Sequence, residues 1–310
     1  MKVHNSISSF PDKPSVVTIG TFDGVHIGHQ KIIKRLITVS KEKQLDSVLL
    51  TFFPHPRMVL QKQLDIKLIN TLEERKIILS NMGLNHLVVK EFTQEFSRLS
   101  AYDYVKNILV DELKAKYIII GYDHRFGKNR SANIETLKEY GKEFDFEVEE
   151  ISVQDIENVA VSSTKIRKAL ASGDIKTANR YLGYNFCLSG TVIKGKQLGN
   201  KLGFPTANIK PQESYKLIPK KGVYIVKSKI DNKTIYGMLN IGTNPTVDGT
   251  SKSIEVHFFD FNQDLYGKTI TVEFIDWLRD EHKFDSLEHL QIQLSKDKTK
   301  ARKIISNLNE

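Results

Sequence analysis

The stretch from Gly20 to His29, Gly-Thr-Phe-Asp-Gly-Val-His-Ile-Gly-His, sets two imidazoles and three glycines between an apolar run at 16–19 and a periodic apolar pattern at 32–37. That order reads as buried strand, glycine-rich turn and amphipathic helix. Backbone N–H groups and a helix N-terminus can approach a phosphate closely in such a turn. His26 and His29 add donors that can follow charge as it develops on phosphate oxygens. Gly20, Phe22, Asp23 and Gly28 complete the turn. Two histidines on an ordinary strand–helix connection are the plainer alternative.

Three further segments place polar or aromatic groups at the ends of apolar runs. Thr51-Phe52-Phe53-Pro54-His55-Pro56 ends a run with paired aromatics and paired prolines, a stiff loop whose rings could flank a flat heterocycle or simply close a core strand. Gly121-Tyr122-Asp123-His124-Arg125-Phe126-Gly127-Lys128-Asn129-Arg130 gathers a carboxylate and several cations in one glycine-bounded loop. Arginine forks match two phosphate oxygens at once; a solvated charged loop is the alternative. Val161-Ser162-Ser163-Thr164-Lys165-Ile166-Arg167 opens a helix that stops at Gly173. Ser163 and Thr164 can cap the backbone and still face a phosphate, with Arg167 one turn along.

The second dense signal is Gly195-Lys196-Gln197-Leu198-Gly199-Asn200-Lys201-Leu202-Gly203-Phe204-Pro205-Thr206-Ala207-Asn208. Glycines 195, 199 and 203 with lysines interleaved, Lys201 among them, suit a loop wrapping anionic oxygens. If 205–209 is extended, Thr206 and Asn208 share one face. Their hydroxyl and amide oxygens could then share a hard divalent cation with phosphates. An unliganded glycine-rich hairpin is the alternative.

The spacing His-x-Gly-His after Phe-Asp-Gly resembles the signature of the nucleotidylyltransferase superfamily. Together with the Phe-Pro-His-Pro, Gly-x-Asp-x-Arg-Phe-Gly and Ser-Ser-Thr-x-Ile-Arg segments it resembles the adenylyltransferase module of bifunctional bacterial riboflavin kinase/FAD synthetases over residues 10–183. The Pro-Thr-Ala-Asn segment, with 240–246, 254–260, 264–267 and 278–284, resembles the riboflavin kinase module over about 186–304. In that family the first and last segments hold ATP. The resemblance implies ATP or phosphate contacts from Gly20, Phe22, Asp23, Gly28, Asp123, Arg125, Arg130, Ser163 and Thr164, and in the second module from Gly195, Lys201 and Gly203. It implies charge stabilisation by His26, His29 and Arg167, and flavin contacts from Phe53, His55, Pro56, His124, Phe126 and Arg279. Two positions depart from the family pattern: His124 stands where Phe is usual, and Ala132 where Gly is usual.

Within 254–260, Glu255 suits a general base. Phosphorylating a primary alcohol requires loss of its proton, and a positioned carboxylate can take it as the oxygen attacks. A half-exposed strand glutamate is the alternative. His257 falls on the same strand face as Glu255, as its partner or merely as a barrel residue. Trp277 and Phe284 read as core, and Cys187 as core filler.

The function these residues suggest is conversion of riboflavin to FMN and of FMN to FAD, each step using ATP and Mg2+. Thr206 and Asn208 are the expected metal-side residues. Three alternatives stand beside it: a riboflavin kinase with a weak or inactive adenylyltransferase half, a nucleotidylyltransferase for another phosphorylated acceptor, which would leave the second domain without a purpose, and a flavin-responsive nucleic-acid-binding regulator. Bulk properties favour an enzyme. The 310 residues suffice for about two domains, and 40% hydrophobic, 27% charged residues with mean hydropathy −0.33 describe a globular chain. No apolar run approaches the ~18 residues of a membrane span, and the first residues lack a signal-peptide core. One cysteine cannot form an internal disulfide, which suits a reducing cytoplasm. The net charge of +9 and pI near 9.3 are shared between the halves with no lysine/arginine block, which suits anionic small molecules better than a duplex. No membrane partner and at most weak self-association are expected.

These groups need elements to hold them. Apolar, often β-branched runs at 16–19, 47–53, 86–89, 117–120 and 146–151 alternate with helical patterns at 30–43, 72–82, 101–113 and 134–140. Such alternation implies a doubly wound parallel sheet of Rossmann-like α/β class over residues 1–184, with ligands beyond the strands' carboxyl ends. After residue 185 half of the 18 glycines fall between Gly190 and Gly267. Short strand-like runs at 224–229, 235–239, 254–259 and 269–274 follow, with a hairpin turn expected at 231–233. A small antiparallel β-barrel over 185–310 is the economical reading. It ends in a helix from 287 to 308 with Leu287, Leu290, Leu294, Ala301, Ile305 and Leu308 on one face.

Overall fold

The computed structural model describes residues 1–61, 65–122, 124–151, 161–195, 199, 202–246 and 249–308. The chain divides into two compact units, Met1–Ser163 and Thr164–Glu310. No helix among the described residues is long and apolar enough to cross a membrane.

The first unit is a six-stranded, wholly parallel sheet of order β1-β4-β3-β2-β5-β6. The strands are β1 (Lys2–His4), β2 (Ser15–Ile19), β3 (Asp46–Phe53), β4 (His86–Glu91), β5 (Ala115–Gly121) and β6 (Glu147–Ile151). Successive side chains of the central strands go to opposite faces. Val17, Leu50 and Ile118 enter one core layer with Leu109, Leu113 and Phe146. Val16, Leu49 and Ile119 enter the other with Ile33, Leu36 and Leu79. Burial on both faces is why these strands read as continuous apolar runs. Helices α1 (Ile27–Glu42), α2 (Pro56–Leu60), α3 (Leu72–Asn81), α4 (Ala101–Asp103, continuing as a π-helix over Tyr104–Glu112) and α5 (Ile134–Phe144) make the connections. From β2 the chain moves outward through β3 and β4, then returns to place β5 on the other side of β2. The strand order therefore reverses beside β2, where open α/β sheets place their ligands.

Two elements lie outside the periodic pattern. Strand β1 is too short for a periodicity; it is secured by His4, whose Nε2 lies 2.9 Å from His86 Nδ1 and whose Nδ1 lies 2.9 Å from the Ser9 carbonyl. Helix α2 begins inside the expected stiff loop, with Pro56 in its first turn and His55 accepting from the Arg57 N–H at 3.2 Å.

The second unit is a closed antiparallel barrel of order β10-β11-β8-β7-β12-β9. Its strands are β7 (Cys187–Ile193), β8 (Ala207–Pro211), β9 (Gly222–Ile230), β10 (Lys233–Thr246), β11 (Gly249–Phe258) and β12 (Thr269–Arg279). Asp231 and Asn232 link β9 to β10 with φ of 47° and 63°, the left-handed pair that a two-residue hairpin turn requires. Cys187 is half-buried on β7 rather than filling the core.

Helices α6 (Ser163–Ser172) and α7 (Ile175–Leu182), beyond their first residue, group with the barrel, so the units part earlier than residue 184. The Trp277 ring lies directly over Gly173, at φ +85°, where a Cβ would collide with it. Asn179 donates to the Phe274 carbonyl at 2.8 Å and accepts from the Phe186 N–H at 2.7 Å. The terminal helix α8 (Leu287–Leu308) packs Ala301 and Ile305 with Leu202, Phe204 and Phe259. Leu287 and Leu308, assigned to the same stripe, are each 57% exposed, because they lie at the helix ends past the barrel surface.

Candidate functional site

In the first unit the turn after β2 gathers Gly20, Phe22, Asp23, His26, Gly28 and His29. Phe22, Gly24 and Val25 take positive φ of 47°, 88° and 33°, a tight path that aims α1 at the reversal point. His26 is the N-cap of α1, its Nδ1 accepting from the His29 N–H at 3.3 Å. With its lone pair so used, neutral His26 carries its proton on Nε2, as a donor. The two imidazoles stack at 3.7 Å and 15°, with the Phe22 ring 4.6 Å from His29. Burial pushes the His26 pKa down to about 4, with Asp23 partly opposing. His29 is held well below the ordinary value by burial, then by His26 and Arg75. Both rings are therefore neutral N–H donors at pH 7. Neutral donors polarise a phosphate oxygen without forming a tight ion pair in the ground state.

Asp23, 2% exposed, accepts from the Ile69 N–H at 2.9 Å and the Asn70 N–H at 3.2 Å. Its carboxylate braces the turn against the segment before α3. Ser163 Oγ donates to the Asp23 carbonyl at 2.8 Å. Arg75, absent from the sequence reading, is 1% exposed and donates to the Thr21 carbonyl at 2.7 Å. It puts a cation under the same turn. Its signal was legible, since Leu72, Arg75 and Leu79 share one buried helical stripe and an arginine there is out of place.

The remaining predicted residues of this half separate by burial. Phe53, His55 and Pro56 are half-buried beyond β3, and Arg125 and Arg130 are exposed. Phe126 belongs to the core, pairing with Ala132 through two 3.1 Å backbone bonds. His124 is half-buried and stacks on Phe126 at 6.0 Å and 25°. Asp123 lies outside the described residues. Thr164 and Arg167, one turn apart on α6, belong to the second unit.

The depressed histidines have a consequence for stability. An unfolded chain protonates His26 near pH 6.5, whereas the folded unit resists down to about 4. Between those values the unfolded state binds more protons, so stability is complete above pH 6.5 and falls as pH drops toward 4. Urea unfolding should show the first unit losing roughly 1.4 kcal/mol per pH unit across that window for one proton, with His29 adding in the same direction. His26→Ala should flatten the slope; an unchanged slope would count against the buried neutral ring.

In the second unit, Asn208 (β8), Glu255 (β11) and Asn240 (β10) face one another across three adjacent strands. Asn240 opens the 240–246 segment, and the strand register brings it into the row. Thr206 Oγ1 donates to Glu255 Oε2 at 3.4 Å, long in an unliganded site, where such contacts are often loose. A Cβ at Gly195 would collide with the Asn208 amide, so Gly195 lies directly on that side chain. Gly203 turns the loop at φ +75° with open space beyond it. Lys201 lies outside the described residues.

Arg279 is committed to its own fold. Its Nε and Nη2 donate to Asp297 at 2.9 and 2.7 Å, and Nη1 to the Asp280 carbonyl at 2.9 Å. The pair locks β12 to α8. Among the described residues no cluster of three His, Cys, Asp or Glu side chains is placed to hold a metal. Thr206 and Asn208 offer neutral oxygens beside a carboxylate, a donor set that fits Mg2+ coordinated partly by phosphates.

A parallel sheet with a histidine-bearing helix start at its reversal point, followed by a barrel with a glycine packed on hard oxygen donors, defines a two-module nucleotide-using transferase. The comparisons make the class specific. Residues 9–165 match the FAD synthetase family model and residues 182–305 the riboflavin kinase model. The bifunctional riboflavin kinase/FMN adenylyltransferase of Listeria monocytogenes is 37% identical over 99% of this chain and 98% of its own. The Escherichia coli K12 protein of the same description is 34% identical over 97% and 95%. A solved structure described as a macrolide-efflux protein from Streptococcus pneumoniae has TM-score 0.88 at 32% identity, covering 97% of this chain and 98% of its own. The chain belongs to the bifunctional riboflavin kinase/FMN adenylyltransferase (FAD synthetase) family, and is an enzyme of flavin cofactor biosynthesis.

Proposed function

We propose that the barrel phosphorylates riboflavin and the parallel-sheet unit adenylylates the FMN so formed. The observation that carries the first assignment is the row Asn208–Glu255–Asn240 with Thr206 on Glu255 and Gly195 against Asn208. The terminal ribityl oxygen attacks the γ-phosphorus of ATP, the bond to the β-phosphate bridge breaks, and ADP leaves. Glu255 takes the hydroxyl proton. Thr206, donating its own proton to Glu255, keeps its lone pairs for the phosphate side. Mg2+ held by Thr206 and Asn208 would neutralise charge on the phosphates.

In the sheet unit a phosphate oxygen of FMN attacks the α-phosphorus of ATP and pyrophosphate leaves. His26 and His29 donate to the oxygens on which charge accumulates, backed by the α1 N-terminus and the Arg75 cation. A charge-stabilising role for Arg167 rests only on the resemblance of the Ser-Ser-Thr-x-Ile-Arg segment that it closes. Phe53, His55, Pro56 and His124 would line the flavin, with Phe126 supporting His124 from the core. The lone cysteine and the demand for ATP suit a cytoplasmic enzyme, and a monomer or weak homo-oligomer is the expected state.

His124 favours one second reading, a kinase whose adenylyltransferase half is weakened where the family pattern has Phe. Chromatography of products from riboflavin with Mg-ATP decides: FMN then FAD supports the bifunctional reading, FMN alone the second, and no FMN overturns both. The fold adds an expectation about separability. Residues 164–310 should fold and make FMN alone, whereas 184–310 should be less stable, because it loses the Gly173–Trp277 packing and the Asn179 bonds. Thermal denaturation of the two fragments checks this; equal stability would show that α6 and α7 do not support the barrel.

A further inference from the structure

His257 is 7% exposed, two residues beyond Glu255 on the same face of β11. Its Nδ1 lies 2.8 Å from the Pro205 carbonyl. A carbonyl can only accept, so Nδ1 carries the proton and Nε2 of the neutral ring is a lone pair. That Nε2 is buried with no hydrogen-bond partner among the described residues. Burial holds the ring's pKa below its ordinary value; Lys298 acts in the same direction, against the Pro205 bond and Asp260. Phe204 and Phe259 meet the ring edge-on at 5.2 and 5.8 Å. A phenylalanine would fill this aromatic slot without leaving a buried nitrogen unsatisfied, so packing alone does not account for the residue.

The bond to Pro205 does account for it. We propose that His257 is a positioning residue for phosphoryl transfer, fixing the Pro205–Thr206 peptide so that Thr206 meets Glu255. The inference rests on the assignment of Thr206, Asn208 and Glu255 made above. Because the peptide is planar, holding the Pro205 carbonyl fixes the direction of the Thr206 N–H and the origin of its side chain. The same loop end is held from the other side by α8. Gln291 Nε2 donates to the Leu202 carbonyl at 3.2 Å, and the Lys298 ammonium lies 5.8 Å from the Phe204 ring centre. Those contacts tie the loop to the helix; His257 ties it to the strand that carries the base.

The test uses the full-length enzyme. His257→Phe should lower kcat for FMN formation roughly 10–100-fold, the scale of a small misplacement, and raise the half-saturating Mg2+ concentration. The riboflavin KM and FAD formation from supplied FMN should stay unchanged. His257→Asn, whose amide N–H can stand in for Nδ1–H, should recover most of the rate, whereas His257→Gln, with its donor one bond further out, should not. Because the proposed action passes through Thr206, adding His257→Phe to Thr206→Ala should cost little more than Thr206→Ala alone. Multiplying losses in the double variant, equal rates for Asn and Gln, or parental kinetics for Phe would each overturn the proposal. If the Phe variant fails to fold by circular dichroism, the Asn–Gln contrast decides. An unimpaired Thr206→Ala enzyme would instead remove the site assignment beneath it.

Discussion

Glu255→Gln is expected to cut the rate of FMN formation by roughly 10²–10⁴-fold, while riboflavin still binds and FAD formation from supplied FMN is unchanged. The substitution keeps the shape and the hydrogen bond from Thr206 but removes the group that accepts the proton. A primary alcohol cannot complete its attack at neutral pH while retaining that proton, so the loss falls on kcat rather than on binding. Glu255 lies between Asn208 and Asn240 in the strand register, which fixes where its carboxylate can reach. Fluorescence titration of riboflavin and steady-state rates with Mg-ATP separate the two quantities. Near-parental turnover would remove the base assignment, and lost binding would show that Glu255 holds the substrate instead.

What the sequence disclosed about these sites follows from how local each signal is. The turn at 20–29 was legible because its glycines, its histidines and its helix start all lie within ten residues. The hairpin at Asp231–Asn232 was legible for the same reason. The barrel row was only half legible. Asn208, Glu255 and Asn240 each stand in a motif segment, but their meeting in one row follows from antiparallel register, which no local pattern encodes. Arg75 was visible as an arginine on an apolar helical stripe, but its purpose was not, because a cation inside a core gains meaning only from what lies above it, here the Thr21 carbonyl and His29. The commitments of Asp23 to Ile69 and of Arg279 to Asp297 were likewise invisible. A charged residue in a motif looks the same whether it meets a ligand or braces the backbone that does. The Ser-Ser-Thr-x-Ile-Arg segment, read from sequence with the first half, opens α6, which from Thr164 onward groups with the barrel. Motif membership and packing membership therefore need not coincide.

His29→Ala is expected to reduce FAD formation by roughly 10²–10³-fold, the scale of losing one preorganised donor in a water-poor site, and to leave FMN formation unchanged. Its ring is buried and sandwiched between His26 at 3.7 Å and Phe22 at 4.6 Å. It is kept neutral by burial and by the charge of Arg75. A neutral ring held there has little to gain from bulk water and much to gain from a phosphate oxygen that becomes more negative during transfer. The benefit is thus concentrated in the transition state. The structural cost of the substitution is separable from the chemical one. The His29 N–H that His26 accepts belongs to the backbone and survives in alanine, so the helix start should persist. His29→Asn, which restores a neutral donor of shorter reach, should recover part of the lost rate. The measurement is FAD formation from FMN and Mg-ATP beside FMN formation from riboflavin in the same preparations. Equal losses in both activities would mean that His29 acts by holding the fold together rather than by meeting the charge at the α-phosphate.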